Sequence, residues 1–316
     1  MSERYLVTGG AGFIGSHLVE RLLGQGFSVT VLDDFSTGRR DNLAGIAEPL
    51  RARLRVVEGS VTDPAAVAAA AADCAGVFHL AALPSVARSV EKPIESHAAN
   101  SLGTIVVLDE ARRARRKVVY AGSSSAYGDQ DAPRKHEALR ENPLSPYAAT
   151  KLAGELYCRT FARVYGIPVV VTRFFNVYGP RQVADSPYSG VIAAFCHALL
   201  YGRRPRIDGD GSQSRDFTYV DDVARGLVAA MRATTTGCEV VNLACGGSHT
   251  VLELLETLQD IAGVRVEPEF APPRPGDVRH SRADVSKARA LLDFSAQVPF
   301  AEGLKRTFDW YRSQQR

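Results

Sequence analysis

The sequence predicts an α/β fold, a doubly wound parallel sheet joined to a smaller C-terminal α/β part. Two observations predict it: short apolar runs alternate with stretches of helical period, and the first run passes through glycines into a helix. Tyr5-Leu-Val-Thr8 is that first strand, and His17-Leu-Val-Glu-Arg-Leu-Leu23 repeats apolar positions at helical spacing. Ser28-Val-Thr-Val-Leu32 completes a βαβ unit. The alternation continues through strand Leu54–Val57, an alanine-rich helix after Asp63-Pro64, strand Gly76–Leu80, a helix near Ser101–Ala114 and strand Lys117–Tyr120. A helix beginning near Tyr147 and strand Pro168–Thr172 follow. Such alternation implies a parallel sheet covered on both faces. Beyond Asn176 the pattern loosens, because Gly179-Pro180, Gly209-Asp-Gly211 and Pro272-Pro-Arg-Pro-Gly276 break shorter elements. Residues 1–175 therefore read as one part and 176–316 as a second, with Val240–Leu243 expected to return to the first sheet so that part of 216–245 rejoins it.

With 316 residues, 45% hydrophobic and 23% charged, the chain can bury one large core or two smaller ones. A net charge of +3 is too small to imply a nucleic-acid or membrane surface, and leaves acidic small molecules as partners. The basic cluster Arg112, Arg113, Arg115, Arg116 and Lys117 sits at a helix end, where cations suit the helix dipole, and reads as a solvated face. Five cysteines without a C-x-x-C pair read as reduced and mostly buried. No signal-peptide pattern and no apolar run of about 18 residues appears, so a cytoplasmic protein is expected. Seven histidines without metal-ligand spacing predict no metal. The alanine run from Ala68 to Ala72 reads as a plain surface helix, with Asp63 as its N-cap.

Thr8-Gly-Gly-Ala-Gly-Phe-Ile-Gly15 places Gly9, Gly12 and Gly15 at three-residue steps between a strand and a helix. The first glycine permits a tight turn, the second lets backbone approach a pyrophosphate, and the third lets helix pack on strand. Asp33 ends the next strand, where a carboxylate accepts both ribose hydroxyls of an adenosine and repels a 2′-phosphate. This Rossmann-type pattern favours NAD over NADP, although Arg39 and Arg40 lie close by.

Tyr147 and Lys151, four residues apart at the head of a helix, put a phenol and an ammonium on one face. A free phenol titrates near ~10, so acting as a base at neutral pH requires roughly 4 kcal/mol of preferential phenolate stabilisation. Lys151 supplies one positive charge, and Ser123 bridges the phenol and a substrate oxygen.

The chain resembles the extended short-chain dehydrogenase/reductase superfamily, in particular its UDP-sugar 4-epimerases. The resemblance spans nearly the whole length. It rests on the glycine loop, Asp33-Asp-Phe-Ser-Thr-Gly38, His79-Leu-Ala-Ala82, Ser123-Ser-Ser-Ala-Tyr-Gly128, Tyr147-x-x-x-Lys151, Arg173-Phe-Phe-Asn-Val-Tyr-Gly-Pro-Arg181, Arg215-Asp216 and Arg274-Pro-Gly-Asp277. It implies that NAD is held by Gly9, Gly12, Phe13, Ile14, Gly15, Asp33, Asp34, Ser36, Thr37, Gly38, Ser60, Val61, Leu80, Ala81, Ala82, Tyr147, Lys151 and Phe174. It implies a UDP-sugar held by Ser85, Ser123, Ser124, Asn176, Gly190, Val191, Ile207, Arg215, Arg274, Asp277 and Ser281, with Asp277 orienting Arg274 or capping a loop. His79 becomes a strand residue under the cofactor. A homodimer through the helices near Ser101–Ala114 and Tyr147–Tyr165 is implied as well.

Within the superfamily, 4,6-dehydratases and UDP-glucuronate decarboxylases typically carry an acid in the segment matching Ser123-Ser124-Ser125, and none is present here. The resemblance therefore implies epimerisation: Tyr147 takes the 4-hydroxyl proton, NAD the C4 hydride, and the keto sugar turns over before reduction. Three departures are informative. Ser60 stands where many relatives read the adenine with aspartate, and Pro84 where some carry a lysine. Ser281 stands where glucose-restricted bacterial enzymes have tyrosine, which implies room for an N-acetyl group on C2. A UDP-glucuronate 4-epimerase, with Arg88 meeting the carboxylate, a net-redox dehydrogenase and a non-catalytic NAD-binding regulator remain as alternatives.

Overall fold

The structure is a computed structural model that describes residues 2–184, 190–273 and 278–315. Seven strands of the described residues form one parallel sheet: β1 (Arg4–Thr8), β2 (Ser28–Asp33), β3 (Leu54–Glu58), β4 (Gly76–His79), β5 (Lys117–Ser123), β6 (Val169–Phe174) and β7 (Cys238–Leu243), in the order β7-β6-β5-β4-β1-β2-β3. The expected return of Val240–Leu243 takes place, with Val240 opposite Val171 and Leu243 opposite Phe174. Successive side chains of a strand serve opposite faces. Leu6, Leu32 and Val118 join one core with Val107, Leu108 and Cys158, while Val7, Val31 and Val119 join the other with Leu18, Leu22 and Leu227. Burial on both faces is why the strands read as continuous apolar runs.

Helix α1 (Phe13–Gly24) and helix α6 (Val220–Arg232) cover one face. Helices α2 (Pro64–Ala71), α3 (Gly103–Arg113) and α4 (Pro146–Tyr165) cover the other, and α5 (Val191–Leu200), α7 (Val251–Ala262) and α8 (Phe300–Ser313) belong to the C-terminal part. The alanine run is not a plain surface helix: Val67, Ala70 and Ala71 of α2 are buried against the sheet. Asp63 caps it as expected, accepting the Ala65 amide at 2.9 Å. The basic cluster at the end of α3 is answered by its own acids, Arg112 and Arg113 by Asp109 and Arg116 by Glu110.

A third core gathers Ile192, Phe195, Phe217, Leu254, Leu304 and Phe308 from α5, α7, α8 and the strand-poor segments between them. Here Ser214–Arg215 lies between His249–Thr250 and His280–Ser281 in a small sheet. Three of the five free cysteines are buried and the other two partly so. Among the described residues no helix is long and apolar enough to cross a membrane.

Candidate active site

The strand order reverses at β1 and β4, which lie side by side with Thr8 opposite His79, the point at whose carboxyl end doubly wound sheets bind ligands. Gly9 turns the chain at φ +69, and a Cβ on it would lie 2.8 Å from the Ala81 backbone. A Cβ on Gly15 would lie 2.1 Å from the Gly9 carbonyl, so only hydrogen fits where α1 crosses the turn. Gly12 is the extended N-cap of α1, with no side-chain cap and no acid in the first turn. The first-turn amides of Phe13 and Ile14 are therefore available to an anionic phosphate.

Asp33 is 7% exposed at the end of β2 and accepts the Ala11 and Phe35 amides, each at 2.9 Å. Burial raises its pKa, opposed by those two amide bonds. A Cβ on Gly38 would come within 2.7 Å of its carboxylate, so the loop from Asp34 to Gly38 folds closely over the acid. Asp34 ties that loop by accepting the Ser36 amide at 2.9 Å and hydroxyl at 2.6 Å, beside Thr37. Arg40 is turned to Glu58 and over the Phe35 ring, which spends its charge away from a 2′-phosphate. Opposite, Leu80, Ala81 and Ala82 leave β4, with the Ala81 amide on Thr8 Oγ1 at 3.2 Å. Val61 is buried under α3, and the Ser60 hydroxyl meets Thr62 at 2.8 Å. This cradle, closed to any Cβ at Gly9, Gly15 and Gly38, fits a dinucleotide.

Tyr147 is the second residue of α4, whose start is set by Ser145 accepting the Ala148 amide at 3.2 Å. Its own amide donates to Ser89 Oγ at 2.9 Å. Burial raises the phenol pKa, and the nearby Ser123 hydroxyl, itself 2.8 Å from the Ser125 hydroxyl, draws it back. Ser123 ends β5 opposite Phe174 on β6, and its hydroxyl accepts the Ser125 amide at 3.2 Å where Ser124 opens a single tight turn to Tyr127. Lys151 is 4% exposed, its Nζ 4.5 Å from the centre of the Tyr120 ring, and the Tyr120 hydroxyl donates to the Lys151 carbonyl. Below it His79 is buried between Thr8 at 2.7 Å and Thr104 at 3.0 Å, and burial holds its imidazole neutral, at about 3.

Burial presses Lys151 down to about 8 from its ordinary 10.5. Below about 8 it is charged in both states, and the buried ammonium costs the fold on the order of 3 kcal/mol. Between the two values the unfolded chain binds the extra proton, so stability rises with pH through that window. Lys151→Met is therefore expected to raise the Tm of the NAD-free protein at pH 7 by several degrees, with the difference shrinking above pH 8. Calorimetry checks this, and a lower Tm contradicts it.

In the C-terminal part, Ser281 is 7% exposed and lies opposite Arg215 in the small sheet. Their register is fixed by Asp216, which is fully buried and accepts the amides of Gly246 at 2.9 Å and of Cys245 and Ala283 at 3.2 Å. Asn176 follows β6 at φ +30 and donates to the Asp216 carbonyl at 3.4 Å. Gly190 is the N-cap of α5 and Val191 its first residue, while Ile207, 1% exposed, lies within the third core. Ser85 caps the helix Val86–Glu91 by accepting the Arg88 amide at 3.1 Å. Arg274 and Asp277 lie outside the described residues. Among the described residues no cluster of metal ligands occurs.

Two site-building groups are invisible in the sequence pattern. A π-helical turn at Ala98–Leu102 sets Asn100 to accept the Leu83 amide at 2.8 Å and donate to Thr150 of α4 at 3.0 Å, joining the loop after β4 to the Tyr147 helix. Arg173, at the head of the Arg173–Arg181 motif, is completely buried against Glu155 of α4.

A dinucleotide cradle beside a half-buried tyrosine and serine and a buried lysine defines a class of enzyme: the chain belongs to the NAD-dependent epimerase/dehydratase family, whose model matches residues 5–244. NAD is the cofactor of that family. Among curated proteins the chain is 40% identical over 322 residues to a UDP-glucose 4-epimerase of Mycolicibacterium smegmatis, covering 98% of this chain and 99% of that one. It is 35% identical to a UDP-N-acetyl-alpha-D-glucosaminuronate decarboxylase of Bacillus cytotoxicus, covering 99% of this chain and 98% of that one. The solved UDP-N-acetylglucosamine 4-epimerase from Methanobrevibacter ruminantium M1, in complex with UDP-N-acetylmuramic acid, superposes with a TM-score of 0.94 at 36% identity, with 100% of both chains covered.

Proposed function

We propose that this enzyme is a UDP-hexose 4-epimerase that interconverts UDP-glucose and UDP-galactose and accepts the N-acetylated pair. The observation that carries the reading is the turn beside the phenol: Ser123, Ser124 and Ser125 offer hydroxyls and no carboxyl group, and the Ser123 hydroxyl draws the Tyr147 phenol pKa down. Elimination or decarboxylation chemistry needs acid–base groups beyond the one that works at the 4-hydroxyl, whereas epimerisation needs a single reversible oxidation. That absence counts against the decarboxylase reaction of one relative.

In this reading Tyr147 accepts the proton of the sugar 4-hydroxyl, and Ser123 bridges the two oxygens. Bound NAD supplies the acceptor for the C4 hydrogen and, when oxidised, a positive charge. Lys151, buried on the same helix face, adds the charge that favours the phenolate against the burial that opposes it. Arg215, with Arg274, grips the diphosphate, so that binding energy resides on the UDP while the sugar is free to present its other face. Arg88 faces Glu95 at 3.3 Å, which answers its charge and disfavours a uronate substrate. A homodimer belongs to the same reading, since α4 leaves Leu156 50% and Val164 65% exposed.

A panel of UDP-glucose, UDP-N-acetylglucosamine, UDP-glucuronate and their C4 epimers tests the substrate. Ser281→Tyr is expected to lower turnover of the N-acetylated pair about tenfold or more relative to the plain pair, the scale of a steric change in a pocket. Equal loss on both pairs contradicts the assignment of Ser281 to the C2 side.

A further inference from the structure

Arg173, the next-to-last residue of β6, is 0% exposed and leads the set of large, fully buried side chains. Its Nε donates to Glu155 Oε2 at 2.9 Å and its Nη2 to Glu155 Oε1 at 2.7 Å, a two-bond fork, and Nη2 also reaches Glu141 at 2.7 Å. Glu155 lies on α4 one step of four beyond Lys151 and two beyond Tyr147, so the fork grips the helix face that carries the phenol. The guanidinium carbon lies 4.4 Å from the centre of the Tyr127 ring. Tyr127 is itself fully buried, closes the turn that Ser123 opens, and donates its hydroxyl to Asn242 at 2.6 Å.

One cation thus touches both pieces of chain whose side chains must meet. We propose that Arg173 is a positioning residue for the reaction, clamping the Ser123 turn and the Tyr147 helix in one register. The proposal rests on the epimerase reading above. Stability alone does not call for this arrangement, since well-packed apolar groups commonly replace a buried ion pair without loss. A planar fork that stacks on a ring while its edge grips a carboxylate fixes two directions at once, which a lysine ammonium does not. The network is balanced by Arg159, which bonds both Glu141 and Glu155, so each carboxylate keeps a cation when Arg173 is changed to lysine.

Arg173→Lys is the discriminating variant. With NAD bound, its kcat at pH 7 on UDP-galactose is expected to fall about 10- to 100-fold, a fraction of what acid–base catalysis contributes. The rate should recover toward wild type at higher pH, with KM and NAD affinity within about threefold, because a shifted Ser123 turn no longer draws the phenol pKa down. In parallel, phenol absorbance titration of the NAD-bound protein, taken as the difference from Tyr147→Phe, should show Tyr147 titrating at higher pH in Arg173→Lys than in wild type. A folded Arg173→Lys protein with a wild-type pH profile and phenol titration overturns the proposal. Glu155→Gln, which weakens the fork at constant volume, carries the same readouts if Arg173→Lys does not fold. Should wild type turn over no UDP-hexose, the epimerase reading fails by itself, and the phenol titration still decides the clamp.

Discussion

Tyr147→Phe is expected to lower kcat for UDP-galactose epimerisation by about 10²- to 10⁴-fold, the range of a lost general base, while NAD and UDP-sugar affinity stay within a few fold. The side chain keeps its ring and so its packing at the head of α4, and only the phenol oxygen is lost. The rise in phenol pKa through burial sets the pH dependence of the intact enzyme. A group that must be deprotonated to accept the 4-hydroxyl proton gives a rate that climbs with pH up to its working pKa. Ser123 draws that pKa down in the protein itself, and the charges of Lys151 and oxidised NAD add to the effect. Steady-state kinetics on the variant checks the expectation, and a loss confined to KM contradicts it.

Gly15→Ala is expected to weaken NAD binding by about a hundredfold or more and to lower stability by roughly 1–3 kcal/mol, the cost of overpacking. The added methyl would sit 2.1 Å from the Gly9 carbonyl and 2.9 Å from the Gly10 Cα, and both neighbours are backbone, so neither can swing aside. Relief requires α1 to move away from the turn, carrying with it the first-turn amides offered to the pyrophosphate. Gly12→Ala is milder by the same measure, since its Cβ would meet only the Gly9 carbonyl, at 3.1 Å. Calorimetric titration of both variants with NAD should rank them in that order.

The sheet was legible because burial on both faces leaves unbroken apolar runs such as Val169–Val171. Their carboxyl ends were less so: β5 continues through Ala121-Gly-Ser123, where small and polar residues hide the strand that delivers Ser123. The glycine loop and the Tyr147–Lys151 pair were legible because each is local, a turn or a helix face encoded within a few residues. The substrate side was not, since Asn176, Arg215 and Ser281 come together only through Asp216, and without the family resemblance no spacing links them. An all-alanine segment has no apolar contrast, so the buried face of α2 left no signal. Arg173 and Asn100 carry no local signal of their roles, because their partners, Glu155 and Thr150, are assigned by tertiary packing.

The most direct measurement is the conversion of UDP-galactose carrying deuterium at C4, followed by NMR and mass spectrometry. The account predicts UDP-glucose with the deuterium retained at C4 and no build-up of reduced cofactor, because the same hydrogen leaves and returns at one carbon. Exchange of the label with solvent, stoichiometric reduced cofactor, or release of carbon dioxide from a uronate substrate with no epimerisation of UDP-galactose would contradict it.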